Sequence, residues 1–411
     1  MAAFDSLLKL LKVALNVCDK TKEEIQEEAA SVIQDINDSE WMELVTLSKK
    51  NSVACLLYDV LSDAEGVPEY ASAEIGKYSR RICQTSYRMF SLDIQLDKLL
   101  GKAGIPFCIL KGIAASADYP VPELRKAGDI DILLTNPKDA DRAAEELKTL
   151  GFEKEDEQHS LHHISMSNKD GLEIEVHTML AEPFDNGRIN SYIDSLLKEC
   201  EKNIIRKEIM GAELPCLADA YHAYELLLHM LQHFLRAGFG VKLLCDWVVL
   251  WNRGISEEDR EIYLRLISDS GVKGFSDMIT RTCIKYLGMK RENVLWMNPF
   301  DSRKKREELE QETETFMEEL MDAEEFGKAK NRMVALRGDG LFDYVREFHH
   351  QMHLNFPKAG KVFLLWPVLW TITLARFLRN NRKVRSVSGK ELLASAGKRG
   401  KLVKGMKLFE G

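Results

Sequence analysis

Two aspartates separated by one residue, Asp129 and Asp131, lie within an apolar run in the first third of the chain. The run reads GDIDILL and predicts a buried strand that begins at Gly128. Alternate side chains of a strand share a face, so both carboxylates point the same way, about 6.6–6.8 Å apart. Two carboxylates beside a core repel each other and are costly to bury unpaired, and Mg²⁺ removes that cost by accepting oxygen ligands. The sequence therefore predicts a metal site here, with surface charge at a strand edge as the alternative.

A second predicted strand precedes this pair, at residues 107–110. Gly112 follows where the chain must turn into a segment with helical propensity. At such a turn a glycine lets the backbone approach a phosphate, because the free N–H groups at a helix N-terminus favour anions. Lys111 or Arg125 is then available to neutralise charge on the β- or γ-phosphate. The alternative is that these residues are ordinary polar residues at a strand end.

Two further strands are predicted at 162–166 and 172–177, joined by a hairpin turn, after a helix that starts at Asn136-Pro137. On the second of these strands Glu173, Glu175 and His177 share one face. Strand geometry alone does not choose between the two glutamates. The order of strand, helix, strand, helix and hairpin suits a small mixed sheet that carries a metal site.

Taken together, these residues resemble the signature of the polymerase-β-type nucleotidyltransferase superfamily. The closer resemblance is to a bacterial family known only as "nucleotidyltransferase family protein". The matching pieces, in chain order, are Leu110-Lys111-Gly112, Tyr119-Pro120, Arg125, Gly128-Asp129-Ile130-Asp131 and Ile174-Glu175-Val176-His177. Lys-Gly stands where the superfamily usually has Gly-Gly or Gly-Ser, and the third acid is Glu, which the superfamily tolerates. The resemblance is specific over about residues 105–180 and weak on either side.

The resemblance implies a role for each of these positions. The implied catalytic and metal-binding residues are Asp129, Asp131 and Glu175, which hold two Mg²⁺ ions, with Mn²⁺ as a possible substitute. The implied nucleotide-binding residues are Lys111, Gly112, Arg125 and Gly128. The resemblance also favours Glu175 over Glu173 as the third acid. For His177 two roles stay open, a hydrogen bond to a metal-binding carboxylate or simple closure of the strand face.

The reaction implied by the resemblance is transfer of a nucleoside monophosphate from an NTP to a hydroxyl or phosphate acceptor, with release of pyrophosphate. ATP is the expected donor only because it is abundant. A small molecule or sugar intermediate is the expected acceptor, and a protein side chain is an alternative. Two other classes remain open, a non-catalytic nucleotide-binding or antitoxin-like module and a membrane-surface scaffold.

The rest of the chain is helical in pattern, so the predicted fold class is α+β, a small mixed-sheet nucleotidyltransferase core flanked by helical regions. The predicted divisions are an N-terminal helical region at 1–87, the core at 88–215, a larger C-terminal helical domain at 216–385 and a basic tail at 386–411. The chain has 411 residues, of which 45% are hydrophobic and 30% charged, as in ordinary globular proteins. Its formal charge of −8 gives no general attraction to nucleic acid, so we expect no nucleic-acid partner.

The two ends of the chain bear on its expected location. The first residues have no signal-peptide layout, and the eight cysteines include no CxxC pair, which predicts reduced thiols and a cytoplasmic, bacterial protein. Residues 362–378 are strongly apolar but fall short of the ~20 residues that span a bilayer, and basic residues follow them. A peripheral membrane contact and a core helix with a solvated tail both fit this pattern.

Histidines recur in three groups that invite a zinc interpretation. These are His159, His162 and His163, the pair His229 and His233, and the pair His349 and His353. No cysteine lies near them, and no Glu follows His229 as a metalloprotease motif requires. We therefore expect ordinary structural roles, although His229 or His233 is a candidate to line an acceptor pocket.

Overall fold

The computed structural model describes residues 2–18, 20–62, 64–155, 163–184, 186–236, 238–297, 303–321, 345, 348–349, 352–353, 355–356, 359–384, 400 and 402–409. The helices are α1 Ala2–Ala14, α2 Lys22–Ile33, α3 Asp38–Lys50, α4 Tyr58–Leu61, α5 Glu69–Lys102, α6 Lys111–Ser116, α7 Ala140–Lys148, α8 Gly187–Ser195, α9 Leu197–Lys202, α10 Asp219–Arg236, α11 Val241–Arg253, α12 Glu257–Asp269, α13 Lys273–Tyr286, α14 Arg303–Met321 and α15 Trp366–Val384. The strands are β1 Phe107–Ile109, β2 Ile130–Leu134, β3 Phe152–Lys154, β4 His163–Asn168, β5 Glu173–His177, β6 Ile204–Ile209 and β7 Ala212–Leu217.

The strands form one mixed sheet in the described part of the chain, in the order β3-β4-β5-β2-β1-β7-β6. β4 and β5 are an antiparallel hairpin, as the sequence predicts, and β5 lies parallel to β2. β1 is antiparallel to β2 and parallel to β7. The α+β fold class is confirmed, with long helical segments before and after the sheet.

The alternation of side chains along β2 and β5 divides the sheet into two faces. Ile130, Ile132 and Ile174 belong to a core cluster shared with α5 and α7, including Leu96 and Leu147. Each fully buried aliphatic side chain of this kind stabilises the fold by about 1.5–3 kcal/mol. The acidic side chains must therefore project from the opposite face, toward the C-terminal helices.

The helices on that opposite face form the larger core of the protein. Leu133 of β2 joins a cluster with Leu227 and Leu231 of α10 and Trp247 of α11. Trp247 and Trp251 stack edge to face at 5.6 Å between ring centroids. This cluster holds α10 and α11 against the sheet, so the two helices form a roof over the end of β2.

Two predicted division points lie inside regular elements. The helix expected to begin near Tyr87 is the second half of α5, which runs without a break across residues 87 and 88. The point at 215 and 216 lies within β7. In the sequence, Gly76 interrupts the helical pattern of the first half of α5. In the structure, Gly76 faces Tyr58, and a Cβ at position 76 would lie 3.5 Å from its ring. These two points therefore do not fall in loops, and the division of the chain into regions stays a prediction.

Part of the predicted basic tail at 386–411 packs against the core, while residues 386–399, 401, 410 and 411 lie outside the described residues. Leu402, Val403 and Met406 are buried in the larger core, and the N–H of Phe409 donates to the carbonyl of Gly271 at 2.7 Å. A Cβ on Gly274 would lie only 1.9 Å from the Met406 carbonyl oxygen. Residues 402–409 therefore pack tightly on α13 and its preceding turn.

The apolar segment before that tail forms α15 and the turn that leads into it. Phe363, Leu364 and Val368 are exposed to 69, 84 and 58%, while Leu369 is buried. Among the described helices, none combines the length and apolar character needed to cross a bilayer.

Candidate active site

Three acidic side chains converge where β2 and β5 run side by side. Asp131 is directly opposite Glu175 in the parallel register, and Asp129 immediately precedes β2. One oxygen from each of the three carboxylates lies within 4.8 Å of the others. Glu173, two residues before Glu175, is exposed and pairs with Ser167 of β4. The structure thus brings together the three predicted acids and leaves Glu173 outside the cluster.

Asp131 is the most enclosed member of the cluster, with 3% of its surface exposed. The Lys111 ammonium lies 3.1 Å from its Oδ1, and the Nε2 atom of His177 lies 2.7 Å from the same oxygen. Burial opposes ionisation, but these two neighbours outweigh it, so the pKa of Asp131 is lowered below its usual value. Burial lowers the pKa values of Lys111 and His177, but their interactions with the Asp131 carboxylate raise both values overall. Asp131 is therefore a carboxylate, held between the Lys111 ammonium and the His177 ring.

Asp129 and Glu175 are the other two carboxyl groups of the cluster. Burial, together with repulsion from Asp131 and Glu175, raises the pKa of Asp129 to about 6. Burial also opposes ionisation of Glu175, but its hydrogen bond with His177 lowers the pKa of this carboxyl overall. Clustered carboxylate oxygens are the ligands that a hard divalent cation binds well. The three side chains fit Mg²⁺ or Mn²⁺ because all of them offer carboxylate oxygens as ligands.

The turn between β1 and α6 places Lys111 beside this cluster. Lys111 has φ of 34°, a left-handed conformation that is unusual for a residue with a Cβ. A Cβ on the next residue, Gly112, would lie 3.3 Å from the carbonyl oxygen of Asp129. Glycine at 112 therefore permits close packing against the segment that enters β2, whereas a Cβ on Gly128 would meet open space.

Arg125 lies in the cavity wall, but its guanidinium is engaged by protein groups. Its Nε and Nη2 atoms donate to the carboxylate of Asp246 at 3.1 and 2.7 Å, and its Nη1 donates to the carbonyl of Gly112 at 3.0 Å. The Tyr119 hydroxyl donates to the same Asp246 at 2.7 Å. Arg125 is only 4% exposed. This geometry gives Arg125 a positioning role in the Lys111-Gly112 turn, and its contact with phosphate stays a prediction.

The acids open into a cavity of about 320 Å³ between the sheet and the helical roof. Its roof is formed by α10, through Glu225, His229 and His233, and by Lys242 of α11. The volume is at the lower end of the range for small-molecule sites. The positively charged Lys111 and Lys242 at its edges suit an anionic ligand.

The roof residues are unusual because they are titratable and enclosed. Glu225 is 1% exposed, its Oε2 has no hydrogen-bond partner among the described residues, and burial raises its pKa to about 7 despite Lys111. Burial and the nearby Lys111 lower the pKa of His229 and bring that of His233 to about 4, so both rings are neutral at pH 7. The roof thus presents neutral imidazoles and a carboxyl that gains or loses a proton near neutrality.

Sequence reasoning missed Glu225, Lys242 and His163 as cavity residues. The spacing of Glu225, His229 and His233 at i, i+4 and i+8 is a signal that places all three on one helix face. His163 was grouped with His159 and His162, which lie outside the described residues. His349 and His353 are 3.1 Å apart between Nε2 atoms and are not among the residues that line this cavity.

Comparisons with known proteins bear on this site. A search of curated proteins finds no significant match. Among solved structures, a crystal structure of an antigenic nucleotidyltransferase-like protein from Paracoccidioides brasiliensis is 15% identical, covers 49% of this chain and 92% of its own, and has a TM-score of 0.30. That similarity is too weak to support an argument. A family model described as "Uncharacterised nucleotidyltransferase" matches residues 37–288, which include the acids, the turn and the helical roof. Because this match spans more than half of the chain, the protein belongs to the family of uncharacterised nucleotidyltransferases.

Proposed function

We propose that the protein is a metal-dependent nucleotidyltransferase of the polymerase-β type that moves a nucleoside monophosphate from an NTP, with ATP the expected donor, to a hydroxyl or phosphate group. The observation that carries the proposal is the convergence of Asp129, Asp131 and Glu175 in the wall of a cavity that is also lined by Lys111. This combination supplies carboxylates for a cation and an ammonium for phosphate charge in one enclosed space.

In the proposed reaction the acceptor oxygen forms a bond to the α-phosphorus while the bond from that phosphorus to the bridging oxygen breaks, and pyrophosphate leaves. Two Mg²⁺ or Mn²⁺ ions bound in the proposed site would neutralise triphosphate charge and lower the pKa of the acceptor hydroxyl. Asp129, Asp131 and Glu175 hold the metal. Lys111 neutralises phosphate charge, and His177 fixes the orientation of Asp131 through the 2.7 Å contact.

The acceptor side is proposed to be the roof formed by α10. Glu225 has a pKa of about 7, which suits a group that takes a proton from the acceptor near neutral pH. His229 and His233 are neutral at that pH and can donate or accept hydrogen bonds to hydroxyl groups. The cavity of about 320 Å³ favours a small-molecule or sugar acceptor over a folded protein.

A catalytically idle nucleotide-binding or antitoxin-like module is the rival interpretation. Such a module requires no intact metal site, and the presence of three converging acids and a lysine argues against it.

The expected location is cytoplasmic, and we propose that the exposed apolar residues of α15 and its leading turn make a peripheral membrane contact.

The test is incubation of the protein with each α-labelled NTP and Mg²⁺, with and without a small-molecule cell extract. We expect label transfer and pyrophosphate release with wild type and none with Asp129→Asn. Because removal of one carboxylate relieves repulsion, that variant should be at least as thermostable as wild type in EDTA. Transfer by Asp129→Asn at the wild-type rate would refute the proposal.

A further inference from the structure

A second group of possible metal ligands lies beside the three acids and includes two histidines. His163 of β4 is directly opposite His177 of β5 in the antiparallel hairpin, with 5.3 Å between ring centroids. Glu175 lies two residues before His177 and therefore on the same face of β5. One ligand atom from each of the three side chains lies within 4.8 Å of the others.

The distances within this group suit a small transition-metal ion. The Nε2 atom of His163 lies 3.6 Å from Oε1 of Glu175, and the Nε2 atom of His177 lies 3.3 Å from Oε2 of the same carboxylate. Zinc binds His nitrogen and carboxylate oxygen at about 2.0–2.2 Å with tetrahedral geometry, so two of its ligand atoms lie roughly 3.3–3.5 Å apart. The two histidine–carboxylate separations therefore require little movement of the side chains.

The identity of the ligands selects the class of metal. Imidazole nitrogen suits zinc and other transition metals, whereas Mg²⁺ prefers oxygen. Two histidines and one glutamate leave one position of a tetrahedral ion open, the arrangement of catalytic rather than closed structural zinc sites. All three side chains line the cavity, so the open position is available to a ligand there.

We propose that His163, Glu175 and His177 form a binding site for one transition-metal dication of the zinc class, separate from the site of the three acids but sharing Glu175. Binding through Nε2 of His177 removes the hydrogen on that atom and with it the 2.7 Å contact to Asp131. Occupation of the histidine site therefore withdraws Glu175 and frees Asp131 from one of its two partners. Zinc and magnesium bind antagonistically at this end of the cavity as a result.

Calorimetric titration of the full chain with Zn²⁺ in chelator-treated buffer tests this site, and the result does not depend on nucleotidyl transfer. We expect one Zn²⁺ per chain. His163→Ala should weaken zinc affinity by at least tenfold, because loss of even an outer hydrogen-bond partner of a metal ligand costs 10–100-fold. His233→Ala is the matched control, since His233 is a histidine of the same cavity outside the ligand set, and should retain wild-type affinity.

Anomalous diffraction at the zinc edge provides a second measurement that does not need a variant to fold. A peak between His163, His177 and Glu175 supports the site, as does an unchanged zinc affinity in Asp129→Asn. The inference is overturned if wild type binds no zinc, if His163→Ala binds it as tightly as wild type, or if the peak lies between Asp129 and Asp131. Failure of label transfer with an intact zinc result would count against the proposed function alone.

Discussion

Arg125 and Asp246, 121 residues apart in sequence, form a buried ion pair in which Nη2 and Oδ2 are 2.7 Å apart. Arg125 also donates to the Gly112 carbonyl, so the pair ties α11 to the turn that carries Lys111. The helical roof and the acidic strand edge are thereby held in one arrangement.

Asp246→Asn should destabilise the protein strongly, because it leaves the Arg125 charge buried without a counter-ion. Breaking one partner of such a pair costs about 3–5 kcal/mol. Urea denaturation measures the change in the free energy of unfolding. Asp97→Asn, which breaks the more exposed pair with Arg206, is the control and should cost about 1 kcal/mol or less. Equal losses in the two variants would contradict the structural role of Arg125.

Glu175→Gln should abolish Mn²⁺-dependent nucleotide binding, whereas Glu173→Gln should retain it. Only Glu175 is level with Asp131, and a shift of two residues along a strand moves a carboxylate by about 6.6–6.8 Å, beyond a bond of 2.0–2.1 Å. Equilibrium binding of a labelled NTP with and without Mn²⁺ checks this. The reverse pattern would mean that β5 pairs with β2 in a different register in solution.

Glu225→Gln should change the pH dependence of stability. The folded-state pKa of Glu225 is about 7, above the ordinary 4.5, so ionisation is disfavoured in the folded protein. Wild type should therefore lose stability as pH rises from about 4.5 through 7, while the neutral Gln variant does not. At pH 8 the variant should be more stable by on the order of 2–4 kcal/mol, a difference that vanishes below pH 4.5.

Thermal denaturation across pH 4–8 in EDTA measures this effect. Glu173→Gln is the control, because the same change at an exposed position should leave the wild-type profile unaltered. A parallel profile for wild type and Glu225→Gln would show that Glu225 is solvated in solution.

Gly274→Ala should detach the C-terminal segment from the core. The added Cβ would lie 1.9 Å from the Met406 carbonyl oxygen, and backbone cannot yield as a flexible side chain does. We expect a loss of about 1–3 kcal/mol and faster proteolysis of residues 402–409. Gly101→Ala, where a Cβ meets open space within α5, should be neutral or stabilising. Similar proteolysis of both variants would show that the segment does not dock on α13.

Replacement of Phe363 and Leu364 by Ser should weaken binding to anionic liposomes, because these are the most exposed apolar side chains near α15. Co-sedimentation at low and high salt measures binding, and the electrostatic part should decline at high salt. Leu295→Ser is the control, since Leu295 is 70% exposed but lies outside this segment. No co-sedimentation of wild type at low salt would end the membrane proposal. Truncation is a poor test, because residues 402–409 contribute to the core.

Local patterns in the sequence determined the parts of this protein that depend on near neighbours. Alternation in GDIDILL placed Asp129 and Asp131 on one face of the strand and Ile130 and Ile132 on the other. The same period placed Glu175 and His177 on one face of β5. The hairpin of β4 and β5 followed from its turn residues. These features could be predicted because strand alternation and turn chemistry are fixed over a few residues.

Only the tertiary structure decided which distant residues meet at the site. Strand alternation could not choose between Glu173 and Glu175; the parallel register of β2 and β5 did. Arg125 has the charge of a phosphate ligand, and only the fold showed that its guanidinium pairs with Asp246 on α11. His163 joined His177 through strand pairing, and Glu225 gained its raised pKa through the packing of α10 on the sheet. Charge and burial depend on what packs around a group, and that is settled by contacts between residues far apart in the chain.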